Sequence, residues 1–327
     1  MMAVRVALVG LGDIGLTAHL PALVRAAGVR VAALVDPDPL RRKLAGDLAP
    51  AYPDIDEVLA DDDIDAVVLA TPPWVTTGAI VRVATAGKFV LAEKPVATSV
   101  AAAAPLLELS PNISDHVQVG LTYRHDPAMV QLREWIADGV LGERLVVRAH
   151  IYDERLDPAD PAHAERLRNT LRHGLPVLHE GSHFFDWLAY LLGGEPMRID
   201  DAWSMRTDRR AEVPNLTGAR LTYPTGHIAV VECGWLTAGL PPCEVSLLGD
   251  RGYAVLDCHT FALRLSTEDG DRVVEFPGER TQRCFDRQVE RFVALVNGSR
   301  PSPSLADGLA ALRTSEQVAR ACAEGEA

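Results

Sequence analysis

No apolar run in the 327 residues approaches the roughly 20 that a helix needs to cross a bilayer, so a helical membrane protein is excluded. The N-terminus, Met1-Met2-Ala3-Val4-Arg5, has no basic region, apolar stretch and small-residue cleavage site of a leader. It runs straight into a β-branched segment, and the expected location is the cytoplasm. Cysteine is sparse: Cys233, Cys243, Cys258, Cys284 and Cys322 are an odd set without C-x-x-C spacing. Neither a disulfide framework nor a thiolate zinc site is expected from them. Positive charge is also in deficit, with a formal net charge of -13. Nucleic acid and anionic membranes require a basic face that releases counterions, so neither is an expected partner. Internal repeats and low-complexity tracts are absent.

What remains has the composition of a two-domain globular chain, 48% hydrophobic. Val4 to Val9 is a short apolar run that ends at a glycine turn, and Thr17 to Ala27 reads as a helix. Val29 to Val35 is a second strand, closed by Asp36. Ala66 to Ala70 and Lys88 to Ala92 are a third and a fourth, closed by Thr71-Pro72-Pro73 and Glu93-Lys94-Pro95. Apolar strands too continuous to alternate, with helices between them, predict a doubly wound parallel α/β sheet covered on both faces. Beyond about Gly120 the pattern changes. A helix over Asp126 to Asp138, a strand over Arg144 to Tyr152 and a helix over Val177 to Leu192 precede strand candidates near 216–223, 226–235, 243–248, 252–257 and 260–266. Turns such as Tyr223-Pro224-Thr225-Gly226 and Gly249-Asp250-Arg251-Gly252 predict a large, mostly antiparallel open sheet in an α+β domain. The expected domains are therefore 1–121 and 122–327, with a last helix over about 303–323 that packs back on the first.

Gly10-Leu11-Gly12-Asp13-Ile14-Gly15 lies between a strand and a helix. Its three glycines serve a tight turn, close approach to a pyrophosphate, and helix–strand packing, while the helix N-terminus receives the phosphates. Asp36 stands 21 positions after Gly15 at the end of the next strand. A carboxylate there accepts hydrogen bonds from the adenosine ribose and repels a 2′-phosphate, favouring NAD over NADP. Arg41 and Arg42 follow closely enough to keep NADP in view. Arg155, Arg166, Arg168, Arg172 and His173 cluster in a stretch that reads as a loop. They form either a solvated face or an attractor for an anionic substrate, with Arg172 the candidate contact.

Ala86-Gly87-Lys88-Phe89-Val90-Leu91-Ala92-Glu93-Lys94-Pro95, with the glycine turn, Thr71-Pro72-Pro73, Gly120 to Pro127, Gly181-Ser182-His183, Asp186 and Ser304 to Asp307, resembles the Gfo/Idh/MocA oxidoreductases almost end to end. The resemblance implies an N-terminal Rossmann domain followed by an α+β domain whose open sheet mediates homo-oligomerisation, as dimer or tetramer. It implies NAD(P)-dependent hydride transfer to or from a secondary alcohol or ketone of a sugar, cyclitol or related small molecule. Lys94 and His183 match the residues that handle the proton. Gly10, Gly12, Asp13, Ile14, Gly15, Asp36, Thr71, Pro72, Glu93 and Lys94 are the cofactor candidates. His179, Tyr123, Arg124 and Arg172 are the substrate candidates, Tyr123 and Arg124 because they sit where the chain crosses into the second domain.

The chain departs from the family at two points. His179 stands four residues before His183, where family dehydrogenases carry aspartate, and Thr76 replaces the usual histidine after Thr-Pro-x. The first change motivates two alternatives, a non-catalytic ligand sensor of the same fold, or a reductase of an imine or keto-sugar. It also creates H-E-x-x-H at His179-Glu180-Gly181-Ser182-His183, the zinc-protease pattern. A mid-helix glycine, no evident third ligand and an unexplained Rossmann half argue against metal there, and none is expected.

Overall fold

The computed structural model describes residues 3–325; residues 1–2 and 326–327, which close the expected domain bounds, lie outside the described residues. Two compact units are present: Met1–His125 with Gly278–Leu309, and Asp126–Pro277 with Ala310–Ala327.

The first unit is built on six parallel strands: β1 (Val4–Val9), β2 (Val29–Val35), β3 (Ala51–Tyr52), β4 (Ala66–Leu69), β5 (Phe89–Glu93) and β6 (Val117–Gly120). Their order across the sheet is β3-β2-β1-β4-β5-β6. Consecutive β-branched residues suit strands covered on both faces, and β4 is buried at all four positions. Strand order reverses between β1 and β4, which places a topological switch point at their carboxyl ends, where doubly wound sheets take their ligands. Gly10 follows β1, Asp36 follows β2 and Thr71 follows β4, so the predicted nucleotide residues share that edge. One face is closed by the helix Arg280–Val296, which brings Phe285, Val289, Phe292 and Leu295 at helical spacing onto Leu8, Leu23, Leu34, Val68 and Leu91. No strand or helix was expected for that stretch.

In the second unit, eight strands form one sheet: β7 (Val146–Arg155), β8 (Arg198–Met205), β9 (Leu216–Thr222), β10 (Ile228–Thr237), β11 (Glu244–Leu248), β12 (Gly252–Asp257), β13 (Leu263–Thr267) and β14 (Gly270–Val274). The order is β14-β13-β12-β11-β7-β10-β9-β8, antiparallel except for the parallel β7–β10 pair. Both predicted turns form: Gly226 N–H donates to Tyr223 O at 2.9 Å, and Gly249 N–H to Gly252 O at 3.0 Å. The helix Pro176–Leu192 packs on β9 and β10. It stops at Gly193, whose φ of 87° suits a residue without a side chain at the helix C-terminus.

One expectation is corrected. The arginine-rich stretch is not a loop, because Pro161–Leu171 is a helix capped by Asp160, whose side chain accepts from His163 N–H. Arg168 is turned inward on it, 8% exposed, and bonds Asp208 at 2.7 Å. An arginine at a buried position, among so many charges, hides the helical period.

Candidate active site

The glycine turn is shaped by what each missing Cβ would strike. A Cβ on Gly10, where φ is 93°, would lie 2.3 Å from Ala70 O, and one on Gly15 would lie 2.2 Å from Gly10 O. Gly12 is different, since its nearest neighbour would be Arg41 Nη1 at 3.7 Å. Gly10 thus packs the turn against Ala70, Gly15 packs the turn on itself, and Gly12 is the one of the three with room for a side chain. Leu16 N–H closes on Gly12 O at 2.9 Å. The N–H groups of Asp13, Ile14 and Gly15 precede that bond, and such donors bind anions. Asp36 is 3% exposed and braces the turn: it accepts from Leu11 N–H at 2.8 Å and from Asp38 N–H at 2.9 Å. Its carboxylate retains acceptor capacity for ribose hydroxyls. Arg41 Nη1 lies 3.8 Å from it.

In the helix that follows β4, Thr76 stands where the resemblance leads one to expect a histidine. Fully buried, it hydrogen-bonds Thr71 O at 2.9 Å, Pro72 O at 3.0 Å and Thr71 Oγ1 at 2.9 Å, which ties Thr71-Pro72 to the helix Pro73–Thr85. At the end of β5, Glu93 is buried and Lys94 half-buried, and the Lys94–Pro95 peptide is cis. Glu93 Oε1 is 2.7 Å from His19 Nε2, while Oε2 accepts from Lys94 N–H at 3.2 Å. His19 is a site residue that the sequence reading missed. Its signal was its place four residues after Gly15, on the helix that opens at the glycine turn.

Two predicted substrate contacts lie in the 3-10 turn Thr122–His125. The Tyr123 ring carries the Arg280 guanidinium 4.9 Å from its centre. Arg124 bonds Asp307 Oδ1 at 3.0 Å. Asp307 also accepts from Ser304 N–H and Oγ–H, both at 2.7 Å, in a cap that starts the helix Leu305–Gly325. Burial alone would raise the Asp307 carboxyl; the Arg124 charge and the Ser304 hydrogen bonds outweigh it and hold the group below the usual carboxylate range. His125 is pushed down to about 3 by burial first, and then by Arg291, Arg124 and Arg287.

In the second unit, His179 and His183 lie one turn apart on the helix Pro176–Leu192. His179 Nε2 donates to Gly174 O at 3.2 Å, and its ring stacks on Trp235 of β10 with centroids 5.2 Å apart. Trp235 is the second residue that sequence reading missed. His183 lies 6.5 Å, ring to ring, from Trp187. Gly181 has a packing role, since a Cβ there would meet Ser315 Oγ at 2.4 Å. Among the described residues no group of three or more His, Cys, Asp and Glu side chains could hold a metal ion. Arg172 is exposed and bonds Glu212 at 2.8 Å.

A parallel sheet ordered β3-β2-β1-β4-β5-β6, with this turn at its switch point, defines a dinucleotide-binding fold. Residues 4–121 match the model of an oxidoreductase family with an NAD-binding Rossmann fold, and residues 129–255 match the GFO/IDH/MocA C-terminal domain. The chain belongs to the Gfo/Idh/MocA family of NAD(P)-dependent oxidoreductases. It is 27% identical over 332 residues to an inositol 2-dehydrogenase of Rhizobium meliloti (strain 1021), covering 99% of this chain and 98% of that one. A solved Sinorhizobium meliloti 1021 chain, described as a myo-inositol dehydrogenase, is 26% identical, with a TM-score of 0.78 over 99% of this chain and 98% of that one. An oxidoreductase from Agrobacterium radiobacter, solved with NAD+, L-tartaric acid and magnesium, has a TM-score of 0.82 at 19% identity, over 99% of this chain and 97% of that one. That last likeness speaks to the fold.

Proposed function

We propose that this oxidoreductase interconverts a secondary alcohol and ketone on a cyclitol or sugar, with NAD as the preferred cofactor. The observation that carries the proposal is the Lys94 position, at the carboxyl end of β5 on the switch-point edge, in a chain similar over 99% of its length to an inositol 2-dehydrogenase. Bound NAD supplies the hydride acceptor. The turn at Gly10, Gly12, Asp13, Ile14 and Gly15 holds its pyrophosphate, Asp36 its adenosine ribose, and Thr71 and Pro72 border it.

In the oxidative direction the substrate C–H leaves as hydride while the hydroxyl proton passes to a protein base, giving a ketone, reduced cofactor and one proton. Lys94 and His183 are the proposed proton-handling residues; an ammonium stabilises developing negative charge on oxygen, and imidazole exchanges protons near neutral pH. His179, held by Gly174 O and Trp235, and Tyr123 are the proposed substrate contacts. Arg124 is assigned chiefly to anchoring Asp307, and Arg172 is left out because Glu212 engages its charge.

Exposed apolar residues on the second sheet, Met205, Leu248, Tyr253 and Val273, support a homodimer or homotetramer, to be checked by light scattering. No described helix is long and apolar enough to cross a membrane. The test of function is NADH formation over a panel of cyclitols, aldoses and their acids, with matched keto compounds in reverse. NADH binding without turnover on any of them favours a ligand sensor instead.

A further inference from the structure

Glu93 was expected among the cofactor contacts, but its carboxylate is engaged elsewhere. Oε1 meets His19 Nε2 at 2.7 Å, and Oε2 accepts the Lys94 N–H at 3.2 Å. His19 is wholly buried, and Glu93 is its sole hydrogen-bond partner among the described residues, with Nδ1 left without one. The His19 ring is fixed further by Phe285, set edge-on with centroids 4.9 Å apart. Phe285 comes from the returning helix Arg280–Val296. On the other side, Glu93 is opposite Gly120 in the β5–β6 register, and a Cβ on Gly120 would lie 3.1 Å from Glu93 Oε1. The carboxylate therefore occupies space that a larger residue at 120 would contest.

His19 closes the helical turn Gly15–His19 that follows the phosphate-binding loop. A buried, short imidazole–carboxylate contact is stronger than the same contact in water, and leaving either partner unpaired there costs more than the bond's net contribution. It joins two segments 74 residues apart in sequence. We propose that His19 and Glu93 are positioning residues that hold Lys94 in fixed geometry to the glycine turn, so that the phosphate-binding turn and the proton-handling lysine form one rigid piece. This rests on the reading of Lys94 given above. Misplacement of a reacting group by about 1 Å is enough to lower turnover some 100-fold, which is the reason for such a brace.

Glu93 uses both oxygens as acceptors, whereas glutamine offers one. His19→Leu removes the donor at similar volume, and His19→Gln restores an N–H near the Nε2 position. The chain has only three lysines, Lys43, Lys88 and Lys94, so side-chain 13C-lysine labelling gives three sites to follow, with Lys94 identified by its loss in Lys94→Arg. Lys88 is an internal control, since its Nζ is held by Asp61 O at 2.7 Å and Ile64 O at 2.9 Å. In the wild type, NAD+ displaces the Lys94 signal. In Glu93→Gln and His19→Leu that displacement falls by about half or more, while the NADH dissociation constant, read by fluorescence, stays within roughly threefold. His19→Gln recovers most of it.

A Lys94 response equal to wild type in either folded variant overturns the proposal. So does a loss of NADH affinity as large as the loss of the Lys94 response, which makes Glu93 a cofactor contact. Thermal melting identifies a variant that has not folded, and the isosteric Glu93→Gln then carries the test. A wild-type Lys94 signal that ignores NAD+ refutes the role of Lys94 itself, and the positioning proposal falls with it.

Discussion

At the residue scale the three glycines of the turn make separable predictions. A methyl group on Gly15 runs into Gly10 O at 2.2 Å, so Gly15→Ala must distort the backbone and lower both the melting temperature and NADH affinity. A methyl on Gly12 meets nothing nearer than 3.7 Å, so Gly12→Ala leaves the melting temperature unchanged and weakens NADH binding by about tenfold or more, through its approach to the phosphates. Calorimetric melting and fluorescence titration of the two variants separate these outcomes, and equal melting losses would remove the assignment of Gly12 to the ligand. Asp36 supports both fold and ligand. Asp36→Asn, which carries one acceptor where Leu11 N–H and Asp38 N–H use two, weakens NADH and narrows its advantage over NADPH. Titration with both cofactors checks the direction, and an unchanged preference contradicts the ribose role.

At the element scale the helix Arg280–Val296 has two jobs. Its apolar stripe covers the parallel sheet, and Phe292 is fully buried, so Phe292→Ala lowers the unfolding free energy by about 3–5 kcal/mol, measurable by urea denaturation. It also presents Arg287 and Arg291 to His125, which burial and these charges push down to about 3 from its ordinary 6.5. The unfolded chain thus binds a proton on this residue between those two values and the folded chain does not. Stability linked to His125 is complete above about pH 6.5 and is lost as pH falls toward 3. Replacement by Gln flattens the melting temperature against pH across that window, and an unaltered slope would assign the acid sensitivity elsewhere.

The same helix shows where sequence reading stops. Its stripe recurs at helical spacing, yet the charged residues between, Arg283, Asp286, Arg287, Glu290 and Arg291, mask it. Pro161–Leu171 hides for a related reason, its buried side including Arg168. The edge strand β14 has four of its five residues exposed, so there is no alternation to find, and β3 is two residues long. By contrast β1 and β2 form over the expected residues, because continuous β-branched runs are specific to buried parallel strands. In the candidate site, the placement of the glycines after β1 and of Asp36 after β2 was legible, because it follows from where two apolar strands end. The His19–Glu93 and Arg124–Asp307 pairs were not, since partners 74 and 183 residues apart leave no local pattern.

At the scale of the whole molecule, the two family domains set the class of chemistry, while His179 and Thr76 are the positions where the resemblance leads one to expect other residues. Thr76 is absorbed by hydrogen bonds that hold Thr71-Pro72, and His179 by its stacking on Trp235. Lys94 and the glycines of the turn keep the residue types that the resemblance leads one to expect, so substrate choice is where divergence is expected. The most direct test is the initial rate of NADH formation across the cyclitol and sugar panel, measured for the wild type, Lys94→Ala and His183→Ala. The account predicts turnover of at least one polyhydroxylated substrate and a loss of about 100-fold or more in kcat in each variant, with NADH still bound. Full turnover retained in Lys94→Ala would contradict it.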